Sequence, residues 1–213
     1  LDYSYGPVKK ENRLLTLYAN YNKLVESIKS SFDVTAGYDY QYWKSTTPLY
    51  SEMNTLGEIQ KTSKAKDERH VLLSYYGRLN YSFDSRYMLT TTIRRDATSR
   101  FAKNVRWGTF PSVALGWRVT EESFLKDNKV LSNLKLRASY GVTGQQDGIG
   151  NYNYLPIYTQ SQNGAEASMG NGYIHTYRPS SYVPDLKWET TTSWNVGFDF
   201  GFLKDRITGS FDY

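Results

Sequence analysis

The run Trp188-Glu189-Thr190-Thr191-Thr192-Ser193-Trp194-Asn195-Val196-Gly197-Phe198-Asp199-Phe200-Gly201-Phe202 alternates without a slip. One set of positions carries Trp188, Thr190, Thr192, Trp194, Val196, Phe198, Phe200 and Phe202. The other carries Glu189, Thr191, Ser193, Asn195, Gly197, Asp199 and Gly201. Successive side chains point to opposite sides of a β-strand, so a period of two predicts a strand with one apolar and one polar face. After a turn at Lys204-Asp205, Ile207, Gly209, Phe211 and Tyr213 continue the pattern against Thr208, Ser210 and Asp212.

The same template fits in both directions along the chain. Residues 31–42 set Phe32, Val34, Ala36, Tyr38, Tyr40 and Tyr42 against Asp33, Thr35, Gly37, Asp39 and Gln41. Residues 73–84 set Leu73, Tyr75, Leu79, Tyr81 and Phe83 against Ser74, Arg78 and Asn80, ending in a tight Asp84-Ser85 turn. Residues 87–94, 110–119 and 134–142 alternate likewise, and residues 13–21 do so more weakly. From residue 31 onward, none of these apolar faces contains a charge. A charge near the middle of a lipid-facing wall costs about 2–4 kcal/mol, and a one-residue slip after Leu134 would expose both Lys135 and Arg137. Register is therefore strongly specified.

Composition narrows the classes. The chain has 213 residues, a formal charge of +5 and 16% aromatic residues, too many for a disordered chain. A mean hydropathy of −0.63 with no uncharged apolar run of about 20 residues excludes spanning helices but not spanning strands. Cysteine is absent, and His70 and His175 are the only histidines, so neither a thiol nucleophile nor a His-based metal cluster is expected. The densest basic patch, residues 61–69, is interrupted by Asp67 and Glu68 and reads as a solvated loop, with no nucleic-acid partner expected. Leu1, Tyr3 and Tyr5 alternate with Asp2 and Ser4, as if the chain began inside a strand of a larger barrel.

Connections sort by length. Residues 22–30, 84–86 and 203–206 and the surroundings of Asn128 fall at one end of the strands, while residues 43–70, 95–109 and 143–187 form long polar segments at the other. Up-and-down barrels show this asymmetry. The longer short-side connection opens Thr120-Glu121-Glu122, the pattern of an N-capped helical turn.

Several stretches resemble the TonB-dependent outer-membrane receptors of the starch-utilisation and RagA type. They are Tyr76-Gly77-Arg78-Leu79-Asn80-Tyr81, Arg94-Arg95-Asp96-Ala97-Thr98-Ser99-Arg100-Phe101, Trp107-Gly108-Thr109-Phe110-Pro111-Ser112, Leu115-Gly116-Trp117-Arg118, Leu134-Lys135-Leu136-Arg137-Ala138-Ser139-Tyr140-Gly141, Gly144-Gln145-Gln146 and Trp188-Glu189-Thr190-Thr191-Thr192 leading to Asp205-Arg206-Ile207. The resemblance implies an all-β, antiparallel up-and-down transmembrane barrel of about 22 strands plugged by a separate domain. Residues 1–213 would be part of that barrel domain, without the plug. It further implies import of an oligomeric nutrient, a glycan or a peptide, across a bacterial outer membrane. The implied partners are membrane lipid, a surface lipoprotein of the SusD/RagB type, and TonB through an N-terminal part not contained here. No enzymatic activity and no cofactor are implied.

Candidate site residues follow. Asp33, Asp39, Arg78, Arg94, Arg118, Lys135, Arg137, Glu189 and Asp199 lie on the polar faces and would line a hydrated lumen. In the long 143–187 segment, Gln145, Gln146, Asp147, Tyr152, Tyr154, His175 and Tyr177 combine amides with stacking rings suited to sugars or peptides. Three Ser-x-x-Lys matches, at Ser63/Lys66, Ser123/Lys126 and Ser132/Lys135, lack every accompanying motif of a penicillin-type nucleophile. Two other architectures fit the alternation: a small complete outer-membrane barrel acting as an enzyme or adhesin, and a soluble carbohydrate-binding β-sandwich. A sandwich would need a second sheet to cover its apolar faces.

Overall fold

The alternating runs become eight long strands. The computed structural model describes residues 2–3, 7–125, 128, 130–160, 166–170 and 172–213. The strands are β1 (Lys9–Val25), β2 (Ser30–Thr47), β3 (Lys66–Phe83), β4 (Tyr87–Thr98), β5 (Trp107–Arg118), β6 (Leu131–Gln145), β7 (Glu189–Phe202) and β8 (Ile207–Asp212). They form one sheet in chain order, each antiparallel to the next. β1 and β8 are its two edges and are not paired to each other, so the sheet stays open. A small complete barrel requires that closing ladder, and its absence among the described residues overturns that reading.

The sandwich fails too. Among the described residues the remaining strands are short: Asp2–Tyr3, Tyr50–Met53 and Ile59–Ser63 form one small sheet, Tyr158–Gln160 pairs with Tyr177–Pro179, and Glu166–Met169 pairs with Gly172–His175. Tyr3 thus pairs with Glu52 in a loop sheet rather than in the wall, while Leu1 and Tyr5 lie outside the described residues.

Antiparallel partners share a face, so the parity of each strand propagates across the sheet. One apolar row runs Tyr21, Val34, Leu79, Thr91, Val113, Tyr140, Trp194 through β1 to β7. This face is largely uncovered: Leu17 is 58%, Leu115 56% and Trp194 61% exposed. Among the described residues the buried apolar ones are only Ala97, Phe101, Phe110, Val119 and Trp188. So small a core cannot offset the ordering entropy of the strands in water, so the stabilising burial must come from an apolar medium against the uncovered face.

The height of that face matches a bilayer. On β1, Arg13 and Lys23 share the apolar parity and bracket Leu15, Leu17, Ala19 and Tyr21. Ten residues at about 3.3 Å each, tilted about 40°, span roughly 25 Å, the height of the apolar band in outer-membrane barrels. Aromatic contacts line its turn-side margin: Phe32–Tyr81 at 5.0 Å, Phe83–Tyr87 at 6.2 Å and Tyr87–Trp117 at 6.5 Å.

Two expectations need correction. The 43–70 and 95–109 segments are shorter as loops than the alternation suggests, because β2 runs to Thr47, β3 starts at Lys66, β4 runs to Thr98 and β5 starts at Trp107. Above the apolar band neither face meets lipid, so pairing continues without an apolar signal. On the short side, Val119–Glu121 is a single 3-10 turn with no side-chain cap. Thr120 Oγ1 accepts from the backbone N–H of Leu134 at 3.5 Å instead. Glu122 turns back to the wall, where its carboxylate accepts from the Tyr87 hydroxyl at 2.6 Å, Trp117 Nε1 at 3.1 Å and Arg86 Nη1 at 3.4 Å. The Asp84-Ser85 turn is as expected, with positive φ of 50° and 56°.

Candidate functional site

The polar face of the sheet collects the charged residues. Register places Asp33, Asp39, Arg78, Arg94, Arg118, Lys135, Arg137, Glu189 and Asp199 on that one face. Arg94 is its most connected member: its guanidinium donates to Asp96 at 2.9 and 3.0 Å and to Ser74 Oγ at 2.8 Å, and stands 3.6 Å from Asp39. Tyr76 lies beneath it at 5.8 Å and covers Gly37, where a Cβ would fall 2.2 Å from Tyr76 Cζ. Toward β8, Arg137 bridges Asp199 at 2.9 Å and Asp212 at 3.0 Å. Asp33 instead accepts from Asn20 at 2.7 Å, and Arg78 donates to Asn80 at 3.3 Å. Arg118 faces Lys135 across the β5–β6 ladder, Lys135 faces Asp199, and Glu189 faces Gln145. Asp96 and Asp212, central to these pairs, were not singled out from sequence.

At the loop end of this face the chain builds a small core. Phe101 is fully buried and meets Trp188 edge-on at 5.5 Å, and Phe110 meets the same indole at 5.3 Å. Leu72, Val105, Val142, Ile149 and Leu186 pack around them. Trp188 Nε1 donates to the carbonyl of Arg106 at 2.9 Å, and Ser99 Oγ accepts from the N–H of Val71 at 2.9 Å. Two loops, the one after β4 and the one after β6, are thereby folded onto the wall. Arg100 then crosses from one loop to another, donating to Asn151 Oδ1 at 3.1 Å and to the Gln146 carbonyl at 3.0 Å, with Asp147 at 4.0 Å.

Beside this latch is a cavity of about 410 Å³ lined by Lys10, Trp43, Glu68, His70, Arg100 and Asn151 among others. Trp43 and His70 are direct cross-strand partners, and their rings stack at 4.5 Å with 14° between planes. A stacked aromatic plate beside amides and a held guanidinium can bind a polar, oxygen-rich ligand by stacking and hydrogen bonds. A larger concavity of about 880 Å³ lies on the apolar side, lined chiefly by residues such as Leu89, Leu115, Leu136, Val196, Phe198 and Phe211. Its walls offer no convergent polar groups, so it belongs to the wall surface.

The loop residues singled out from sequence are divided by the structure. Gln145 ends β6; Gln146 and Asp147 join Arg100; and Tyr152 accepts from the N–H of Arg69 at 3.3 Å, beside the same latch. The Gln146 Oε1 is buried without a hydrogen-bond partner among the described residues. Tyr154 is half-buried in the same turn-rich segment. His175 stays within its own hairpin, Nδ1 3.2 Å from Glu166, and Tyr177 pairs with Gln160 in the other small ladder. Trp43, His70, Arg100 and Asn151 were missed, because the first two fell in a segment read as loop. Among the described residues no group of His, Asp and Glu is placed to hold a metal ion.

A family model described as TonB dependent receptor-like, beta-barrel, matches residues 2–213. The chain belongs to this family. It is 45% identical over 208 residues to the TonB-dependent receptor SusC of Bacteroides thetaiotaomicron, across 91% of this chain and 20% of SusC. It is 33% identical over 234 residues to a TonB-dependent receptor of Formosa agariphila, across 97% of this chain and 21% of that protein. The solved structure of the RagAB peptide transporter shares the fold, with a TM-score of 0.79 at 23% identity over 96% of this chain and 23% of that one. This TonB-dependent receptor segment therefore spans about a fifth of the length of the curated relatives it matches. Members of the family are outer-membrane β-barrel receptors rather than enzymes, and the apolar band described above is the surface such a location requires.

Proposed function

We propose that the receptor containing these residues imports an oligomeric nutrient, a glycan or a peptide, in a TonB-driven cycle with a surface lipoprotein partner of the SusD/RagB type. Residues 1–213 contribute part of the barrel domain, and the plug belongs to another part of the receptor. The segment supplies lipid-facing wall, a charged lining, and loop-end ligand contacts. The carrying observation is the segregation of the sheet: fixed arginine–aspartate pairs on one face, an uncovered apolar band on the other, and an Arg100-latched cavity where the polar face meets the loops. Gln146 holds Arg100 of the cavity wall through its carbonyl and Tyr152 accepts from the N–H of Arg69 next to that wall, while His175 and Tyr177 sit on hairpins that suit ligand or lipoprotein contact.

The names of the relatives support both ligand classes without choosing, since one is a SusC receptor and another a peptide transporter. The test is growth of a receptor-deletion strain on oligosaccharides or peptides as sole carbon source, complemented with wild type or with Trp43→Ala. Wild type is expected to restore growth on one class, and the variant to restore it poorly. Equal growth of the deletion strain on every substrate would overturn the reading.

A further inference from the structure

Among the described residues of the long strands, the outward face carries cations only at the margins of its apolar band. At the loop-side margin these are Lys9, Arg13, Lys44, Arg69 and Arg95, all of apolar-face parity. Residues level with each other across a tilted barrel wall drift by about one position per strand, so Arg95 on β4 stands at the height of Arg13 on β1. Three of the five already have a carboxylate: Arg13 pairs with Glu11, Lys44 with Asp67 at 3.6 Å, and Arg69 with Asp67 at 2.6 Å. Arg95 has no carboxylate partner among the described residues.

Arg95 is nevertheless held in place. Its guanidinium lies 5.0 Å from the centre of the Trp107 ring, which itself stacks on Tyr75 at 6.1 Å. Thr109 is its direct cross-strand partner on β5, and its side chain is exposed. The indole N–H of Trp107 has no acceptor among the described residues, whereas those of Trp117 and Trp188 are both bonded. Guanidinium, indole N–H and threonine hydroxyl thus form a cluster of donors with no protein anion to answer them. Directly below, toward the middle of the band, Ile93 is 57% and Val113 38% exposed. Charged donors above and apolar surface below match an anionic headgroup with its acyl chains.

We propose that Arg95, Trp107 and Thr109 form a docking site for the phosphate headgroup of an outer-leaflet lipid. The planar guanidinium, pinned over the indole, presents two parallel N–H donors to phosphate oxygens, a geometry lysine does not reproduce. The acyl chains lie along Ile93 and Val113. The site is independent of the nutrient carried.

The test uses the full-length receptor, delipidated in neutral detergent and titrated with lipid A or its dephosphorylated form, with bound lipid counted by native mass spectrometry. Wild type should prefer the phosphorylated form. Arg95→Gln should weaken its binding about fivefold, the scale of one cation at an anionic surface, while leaving the dephosphorylated form unaffected. Arg95→Lys should recover part of the loss, and Thr109→Val should cause a smaller one. Heat-modifiable migration on gels confirms that each variant is folded. Equal binding of both lipids by wild type, or unchanged binding by folded Arg95→Gln, would overturn the proposal. So would complete displacement of lipid A by millimolar inorganic phosphate, which would make the site one for free phosphate.

Discussion

Phe101→Ala should release the loops from the wall without melting the wall itself. Phe101 is fully buried, touches Trp188 edge-on at 5.5 Å and, through Trp188, fixes Phe110. Truncating a buried phenylalanine costs about 3–5 kcal/mol in transfer and cavity terms, of which an edge-on aromatic contact supplies about 0.5–1.5. The small core is local to the loop end, so the loss falls on the opening equilibrium of residues 99–106, 146–157 and 183–188. The strands below are held by their own ladders. At about 1.4 kcal/mol per tenfold, amide hydrogen exchange in those loops should accelerate by roughly two to three and a half orders of magnitude. The assay is hydrogen exchange with mass spectrometry on the full-length receptor in nanodiscs, comparing loop peptides with peptides from the centres of β3, β4 and β5. Unchanged loop protection would refute the assignment of Phe101 as keystone. An equal loss in the strands would show that loop core and wall unfold together.

Two further outcomes follow from the sheet. Leu115, 56% exposed on the apolar face near the middle of the band, should not tolerate charge: Leu115→Arg is expected to cost about 2–4 kcal/mol in refolding titrations into lipid vesicles. Thr90→Arg, on the polar face one strand away, should cost less than about 1 kcal/mol, and the reverse ranking would show the faces to be misassigned. Glu122 gives a pH dependence. The Tyr87 hydroxyl, then Trp117 Nε1, hold its carboxyl below its ordinary value of 4.5. A folded-state pKa below the unfolded one contributes stability that is present above about pH 4.5 and lost as pH falls through the folded value. The gap in unfolding midpoint between wild type and Glu122→Gln should therefore be full at pH 7 and shrink below pH 4.5. A gap that persists at pH 3 would show that the carboxylate charge is not what matters.

The wall is legible in the sequence and the loop end is not, for a physical reason. Alternation is a property of neighbouring residues in one chain, and lipid makes its violation expensive, so Asp33, Arg78, Arg137 and Asp199 sort to one face before any pairing is known. Above the band that penalty disappears, so the stretch holding Trp43 and His70 carries the polar composition of a loop although the two are direct strand partners. The three aromatics of the small core come from separate segments and share no local period. Of the loop residues singled out, those beside Arg100 were brought together, while His175 and Tyr177 went to hairpins of their own.

The sequence by itself determined the strand class, the two-faced sheet and the family, because each depends on side-chain order along short stretches of chain. Only the tertiary structure decided that the eight strands stay open, that Arg94 is answered by Asp96 and Arg137 by both Asp199 and Asp212, and that Arg100 latches two loops. Those outcomes depend on distances between residues far apart in the chain, and a pattern with a period of two carries no information about them.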